Sequence, residues 1–246
     1  HLAGANEVAA RDDPALALKE TVRATERIRD AAIRVDVPRI VFVSTVHVYG
    51  SAITEGAVLT EDIPPRPSSA YASARLACEQ LLESASGKGL EVVVFRLTNS
   101  VGAPAAVAVD RWTLVANDLC RQAAVANRVE LSSDGAQWRD FVALSDVVRL
   151  LEVAATHAEL VPAGTYNLGS GAPMTVRALA HLVQDVFEDI TGQRPSLVAP
   201  PSPANPPRSY RVDVGRLAAL GIPPFGGVRS AVVETGEFCV SHKEQL

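Results

Sequence analysis

The sequence predicts an α/β fold, a doubly wound parallel sheet followed by a smaller and less regular C-terminal lobe. Three observations predict it. The strand runs at 39–43 and 91–97 have continuously apolar centres, Ile40–Val43 and Val92–Phe95, rather than alternation, as in strands covered on both faces. Helix-period patterns stand between such runs, the strand–helix alternation that builds parallel sheets. Polar residues follow the runs at their C-terminal ends, Ser44-Thr45 and Thr98-Asn99, where parallel sheets carry their chemistry.

Taken in order, Asp12-Asp13-Pro14 opens a helix with an acidic cap and a proline at the first helical position. Leu18, Val22, Thr25, Ile28 and Ala32 continue it at helical spacing, and Val37-Pro38 closes it. Arg39–Val43 reads as a buried strand, and 50–68, with Pro64, Pro65 and Pro67, as loop. Ser68 or Ser69 caps a helix carrying Tyr71, Ala74, Arg75 and Cys78. Glu91–Leu97 is the next strand. Helix is expected over 111–127, strand over 137–142, helix from a Ser145 cap to about Thr156, and a short strand over 165–168. Val176, Leu179, Leu182, Val183, Val186, Phe187 and Ile190 form one amphipathic helix ending at Gly192, and 200–207 is a proline-rich extended loop.

The 246 residues suffice for one large α/β domain with a small lobe. A net charge of −5 argues against a protein that coats phosphates of nucleic acid, which needs a basic balance. No apolar run reaches the ~20 residues of a membrane span. Cys78, Cys120 and Cys239 are far apart, which suggests neither a disulfide framework nor a zinc site and fits a reducing cytoplasm. His157 and His181 have no ligand partners at metal spacing, so no metal is expected.

The residues from 41 to 82 carry the chemistry. Moving a hydride to or from a carbinol carbon requires a group that exchanges the hydroxyl proton. A phenol does this poorly near neutrality, its unperturbed pKa being about 10, but a fixed cation favours the phenolate. Tyr71 is the candidate acid/base, Arg75 the cation one helical turn on, and Thr45, beside Ser44, the orienting hydroxyl. Each feature taken singly is ordinary: a Tyr–Arg pair four apart is a common helix-surface pair. Their order, with Val48-Tyr49-Gly50 between, is not.

This order resembles the catalytic region of the extended short-chain dehydrogenase/reductase family, the NAD-dependent epimerases, dehydratases and reductases of nucleotide sugars, which have a Rossmann-like fold. Further segments carry the resemblance across roughly residues 1–215. HLAG at the start resembles a strand end beside the dinucleotide, FRLTNSVGAP a segment whose Asn contacts substrate, and QWRDFV one whose Arg holds the substrate diphosphate. The resemblance implies NAD or NADP as cofactor, held by Ala3, Gly4, Thr21, Ser44, Tyr71, Arg75 and Leu97. It implies a nucleotide sugar contacted by Thr45, His47, Asn99 and Arg139, and catalysis by Thr45, Tyr71 and Arg75. It also implies a homodimer through helices 14–34 and 69–86. The expected domains are a dinucleotide-binding part, 1–105, and a mostly substrate-binding lobe, 106–246, from which about 139–168 returns to the sheet.

Three positions depart from the family pattern. Its Tyr-x-x-x-Lys is Tyr71-x-x-x-Arg75, its supporting Asn is Thr21, and its Arg-x-Gly-Asp is Pro203-Ala-Asn-Pro206. Arg keeps the charge but not the compact ammonium, and Arg75→Lys is expected to preserve or raise activity. The family's glycine-rich phosphate-binding turn is expected in an N-terminal portion of about two β-α-β units, roughly 60 residues, ahead of His1. Two functions follow: an epimerase or ketoreductase of a nucleotide-activated sugar, or a non-catalytic relative serving as a binding or regulatory partner.

Overall fold

The computed structural model describes every residue except Lys88, Asp110, Pro206 and Pro224; the last residue of the Pro203–Pro206 departure thus lies outside the described residues. In chain order the elements are α1 (Glu7–Asp12), α2 (Pro14–Arg34), β1 (Arg39–Thr45), a 3₁₀ turn (Val46–Ala52), β2 (Val58–Leu59), α3 (Ala70–Glu83), β3 (Glu91–Leu97), β4 (Asn99–Val101), α4 (Val115–Ala126), β5 (Arg128–Glu130), β6 (Trp138–Arg139) and β7 (Phe141–Ala143). There follow α5 (Leu144–Thr156), β8 (Gly164–Leu168), β9 (Met174–Thr175), α6 (Val176–Thr191), β10 (Ser196–Val198), β11 (Arg211–Val212), α7 (Gly215–Ala219) and α8 (Val228–Ser241). The chain divides into two compact units. The first is His1–Thr98, Val148–Leu168 and Val212–Pro224, and the second Asn99–Val147, Gly169–Arg211 and Phe225–Leu246.

The first unit is built on a parallel sheet of order β1-β3-β8. Its edge at β1 is continued by the first residue: the His1 backbone N donates to Val41 O at 2.6 Å and Val43 N to His1 O at 3.2 Å, the bonding of a parallel ladder. One face of β1 and β3 (Ile40, Phe42, Val92, Val94) joins Cys78 and Leu82 of α3 and Ala32 of α2 in one apolar cluster. Each fully buried Phe, Leu or Val there contributes ~1.5–3 kcal/mol. As expected, Asp13 caps α2, accepting from Leu16 N with Pro14 at the first turn. The buried face of α2 differs from the expected stripe. Ala17, Thr21, Thr25 and Ala32 are buried while Leu18 and Ile28 are exposed. Small residues win that face because α3 lies close against it, with Thr25 Oγ1 3.2 Å from Cys78 Sγ.

In the second unit α4, α6 and α8 share a core of Leu119, Cys120, Leu179, Val183, Phe187 and Val232. Gly236 of α8 lets the helices approach closely there, since a Cβ would stand 3.1 Å from Phe187 Cε2. The strand expected over 137–142 is two pieces: β6 pairs antiparallel with β9, and β7 pairs parallel with β4. Asp140 divides them. It is fully buried, its carboxylate accepts Ser170 N at 2.7 Å and its carbonyl accepts Asn99 N at 3.1 Å. The helix expected over 111–127 occupies 115–126, stopped by Asn127 in the left-handed region (φ 47°). α5 begins at Leu144, one residue before the expected Ser145 cap. Among the described residues no helix is long and apolar enough to cross a membrane.

Candidate active site

Prolines at 64, 65 and 67 keep the chain extended until Ser69, whose hydroxyl accepts from Ala72 N at 3.2 Å and starts α3. Four-residue spacing then sets Tyr71, Arg75 and Glu79 along one side of the helix. Tyr71 is half-buried, whereas Arg75 and Glu79 are buried, at 7% and 1% exposure. The Arg75 guanidinium lies over two rings, 5.4 Å from the centroid of Tyr71 and 5.9 Å from that of Phe42. Its Nη1 reaches Val43 O at 3.5 Å, and its Nε, enclosed by protein, has no hydrogen-bond acceptor. A buried N–H without an acceptor costs ~1–3 kcal/mol.

Room for the guanidinium comes from the start of the chain. Gly4 has φ +154°, and a Cβ on it would stand 3.0 Å from Thr21 Cγ2 and 3.2 Å from Arg75 Nη2. Thr21 is buried and its Oγ1 accepts from Ala5 N at 3.1 Å, while His1 Nε2 meets Thr25 Oγ1 at 2.9 Å. Residues 1–5 are thereby tied to α2. Gly4, Thr21, Arg75 and Tyr71 form one continuous contact; Ala3 stands exposed next to it.

Past the strand end, Thr45 is buried and its Oγ1 accepts from His47 N at 3.3 Å, opening the 3₁₀ turn. The turn closes on Gly50, at φ 49°, where a Cβ would fall 1.9 Å from Arg66 O, so only glycine serves. This fold-back gives His47 and Tyr71 a shared pocket of about 440 Å³, with Glu7, Arg11 and Ser69 also on its walls. Leu97 pairs across the sheet with Thr45. Ser44 departs from expectation. Adjacent strand residues face opposite sides of a sheet, and the Ser44 hydroxyl donates to the buried carboxylate of Glu79; its side chain is spent inside the unit.

That contact belongs to a polar row which the sequence reading missed. Ser44, Arg96 and Asn167 are register partners across β1, β3 and β8, one residue before the strand-end partners Thr45, Leu97 and Leu168. Arg96 Nη2 donates to Glu79 Oε2 at 2.8 Å and Nη1 to Tyr49 Oη at 3.2 Å. Tyr49 donates to Asn167 Oδ1 at 2.7 Å, and Asn167 Nδ2 donates to Leu59 O at 2.9 Å. Burial would lower the Arg96 pKa, but its hydrogen bonds to Glu79 and that carboxylate's charge outweigh burial and raise it. Burial likewise pushes the Tyr49 phenol up. The signal available in the sequence was a lone Arg inside the apolar run VVVFRL and a Glu on the sheet-facing side of α3.

In the second unit, Asn99 and Arg139 come together. Asn99 donates through both N and Nδ2 (2.9 Å) to the carbonyl of Asp140, the residue after Arg139. Arg139 Nη1 donates to Trp138 O at 3.0 Å, and Trp138 Nε1 to Pro207 O at 2.8 Å. Tyr210 stands beside Arg139. Burial raises its phenol pKa against the opposing charge and hydrogen bond of Arg139.

Known proteins resemble this chain in sequence and in fold. The chain is 30% identical over 191 residues to a UDP-glucose 4-epimerase of Azospirillum brasilense, covering 72% of this chain and 53% of the relative. It is 32% identical over 176 residues to a dTDP-glucose 4,6-dehydratase of Streptomyces griseus, covering 70% and 50%. The chain thus spans about half the length of the curated relatives it matches. Among solved structures, RMD from Pseudomonas aeruginosa complexed with NADPH superposes with a TM-score of 0.82 at 26% identity, over 98% of this chain and 80% of that one. The UDP-glucose 4-epimerase of Thermotoga maritima, solved with UDP-glucose, gives 0.77 at 25% identity, over 97% and 75%. The family model for the NAD dependent epimerase/dehydratase family matches residues 1–169. By its parallel sheet with Rossmann-like neighbours, its strand-end and helix residues and this match, the chain belongs to the NAD dependent epimerase/dehydratase family.

Proposed function

We propose that this protein is an NAD(P)-dependent epimerase or ketoreductase of a nucleotide-activated sugar, with Tyr71 exchanging the proton of the reacting hydroxyl. The observation that carries the reading is Arg75: a buried guanidinium 5.4 Å from the centroid of the Tyr71 ring, packed where a Cβ on the exposed Gly4 would touch it. Gly4, Thr21 and Arg75, with Ala3 and Leu97, would hold a dinucleotide ribose, which is rich in hydroxyl acceptors. A bound nicotinamide would accept or return the hydride. Tyr71 takes the hydroxyl proton as the carbinol is oxidised and gives it back on reduction, and the positive charge of Arg75 favours the phenolate in between. Thr45 orients the hydroxyl, and His47 contacts the sugar from the pocket it shares with Tyr71. In the second unit, Arg139 is assigned to the substrate diphosphate, which a planar guanidinium can bind bidentately, and Asn99 to the substrate. The relatives named above act on nucleotide sugars of more than one base and by more than one reaction, so the proposal stops at that class.

Titration of the full-length protein with NADH and NADPH, followed by nicotinamide fluorescence, tests the reading. Micromolar binding of either is the expected result, and binding of neither would favour the non-catalytic relative. Arg75→Lys tests the cofactor contact separately from turnover. Lysine gives up the ring stacking and one donor, so affinity for the bound dinucleotide is expected to fall about tenfold, near the ~1.5 kcal/mol of one charge-assisted hydrogen bond. Unchanged affinity would remove Arg75 from the cofactor site.

We further propose that two copies pair through helices 14–34 and 69–86. Leu18 and Ile33, 40% and 42% exposed, lie on one face of α2 with the half-buried Val22. Sedimentation equilibrium is expected to give twice the chain mass, and Leu18→Asp to halve it; a monomeric wild type would rule the pairing out. The three cysteines are free thiols, in keeping with a cytoplasmic protein.

A further inference from the structure

We infer that Glu79 and Arg96 are positioning residues for the proposed proton transfer, acting through Ser44 to fix Tyr71 against the strand end that bears Thr45. The inference rests on the functional reading above. Glu79 stands eight residues after Tyr71 and four after Arg75 on α3, while Arg96 and Ser44 are register partners one residue before Leu97 and Thr45. The carboxylate therefore joins the helix that carries the acid/base to two strand ends at once, through Arg96 Nη2 (2.8 Å) and the Ser44 hydroxyl. Arg96 extends the tie through Tyr49 to Asn167 of the third strand. Apolar packing along α3 (Cys78, Leu82) holds the helix on the sheet but tolerates sliding, because dispersion contacts are non-directional. A guanidinium–carboxylate fork is directional and tolerates little. The tie fixes the axial position of α3, and with it where the Tyr71 hydroxyl stands beyond the end of β1.

The test compares the full-length wild type with the triple variant Ser44→Ala/Glu79→Leu/Arg96→Met. Removing both charges and the hydroxyl together strands no buried ion, and apolar replacement of a buried pair is commonly neutral for stability. Tyr49 keeps its bond to Asn167. The expected result is an unchanged melting midpoint and NADH affinity within about twofold, with kcat on UDP-glucose or dTDP-glucose as probes lower by roughly 100-fold at unchanged KM, the effect of misplacing a catalytic group by about 1 Å. Amide hydrogen exchange over Tyr71–Leu76 is expected to quicken about tenfold without a change in global unfolding. A folded triple variant with kcat and exchange like wild type would overturn the inference. Should the triple variant not fold, Ser44→Ala decides: faster exchange over the same amides supports the tie, unchanged exchange refutes it. If wild type binds NADH yet turns over neither probe, the functional reading loses its reaction and hydrogen exchange alone decides the positioning.

Discussion

Tyr71→Phe is expected to lower turnover by roughly 10²–10⁴-fold, the usual contribution of a positioned acid/base, while NADH affinity and melting midpoint stay near wild type. The ring remains, so its contact with the Arg75 guanidinium (5.4 Å) and its wall of the pocket shared with His47 persist. Only the hydroxyl goes. Steady-state kinetics on a nucleotide sugar, with parallel NADH titration, checks both halves. Retained turnover would exclude Tyr71 as the proton-exchanging group, and loss of NADH affinity in step with turnover would make it a binding residue instead. The non-catalytic alternative predicts no turnover to lose in either protein.

Glu79→Gln is expected to destabilise the fold by about 3–5 kcal/mol, because it leaves the Arg96 guanidinium buried with its charge uncompensated. Both side chains are nearly inaccessible, at 1% and 6%. The comparison is Glu188→Gln, which breaks an ion pair with Arg194 whose partners are about half exposed. There the expected loss is small, because water and salt screen a surface pair. Urea unfolding of the two variants against wild type measures the contrast directly. Equal, small losses would mean that water reaches the Glu79–Arg96 pair.

These two predictions also mark where reading the chain succeeded and where it stopped. The placement of Tyr71, Arg75 and Thr45 as candidates was legible because local order sets it: a strand run, a proline-broken loop, a serine cap and a four-residue step on a helix. The alternation of β1, α3 and β3 was legible because burial on both faces makes strands continuously apolar. The cap at Asp13 and the stop at Gly192 followed from backbone chemistry alone. The division of the 137–142 run at Asp140 did not, since its cause is a pair of hydrogen bonds to residues 30 and 41 positions away.

The sequence by itself determined the fold class and the family and singled out the candidate reacting groups, because each rests on periodicity or on residues near one another along the chain. Tertiary structure alone decided what surrounds them. It turned Ser44 away from its neighbour and onto Glu79, aligned Ser44, Arg96 and Asn167 across three strands, and left the Leu18 side of α2 exposed while small residues faced α3. It also set Gly4 and Thr21 around the guanidinium that replaces the expected lysine. Strand register and helix approach join residues that are 17 to 118 positions apart, and no local pattern encodes such a distance.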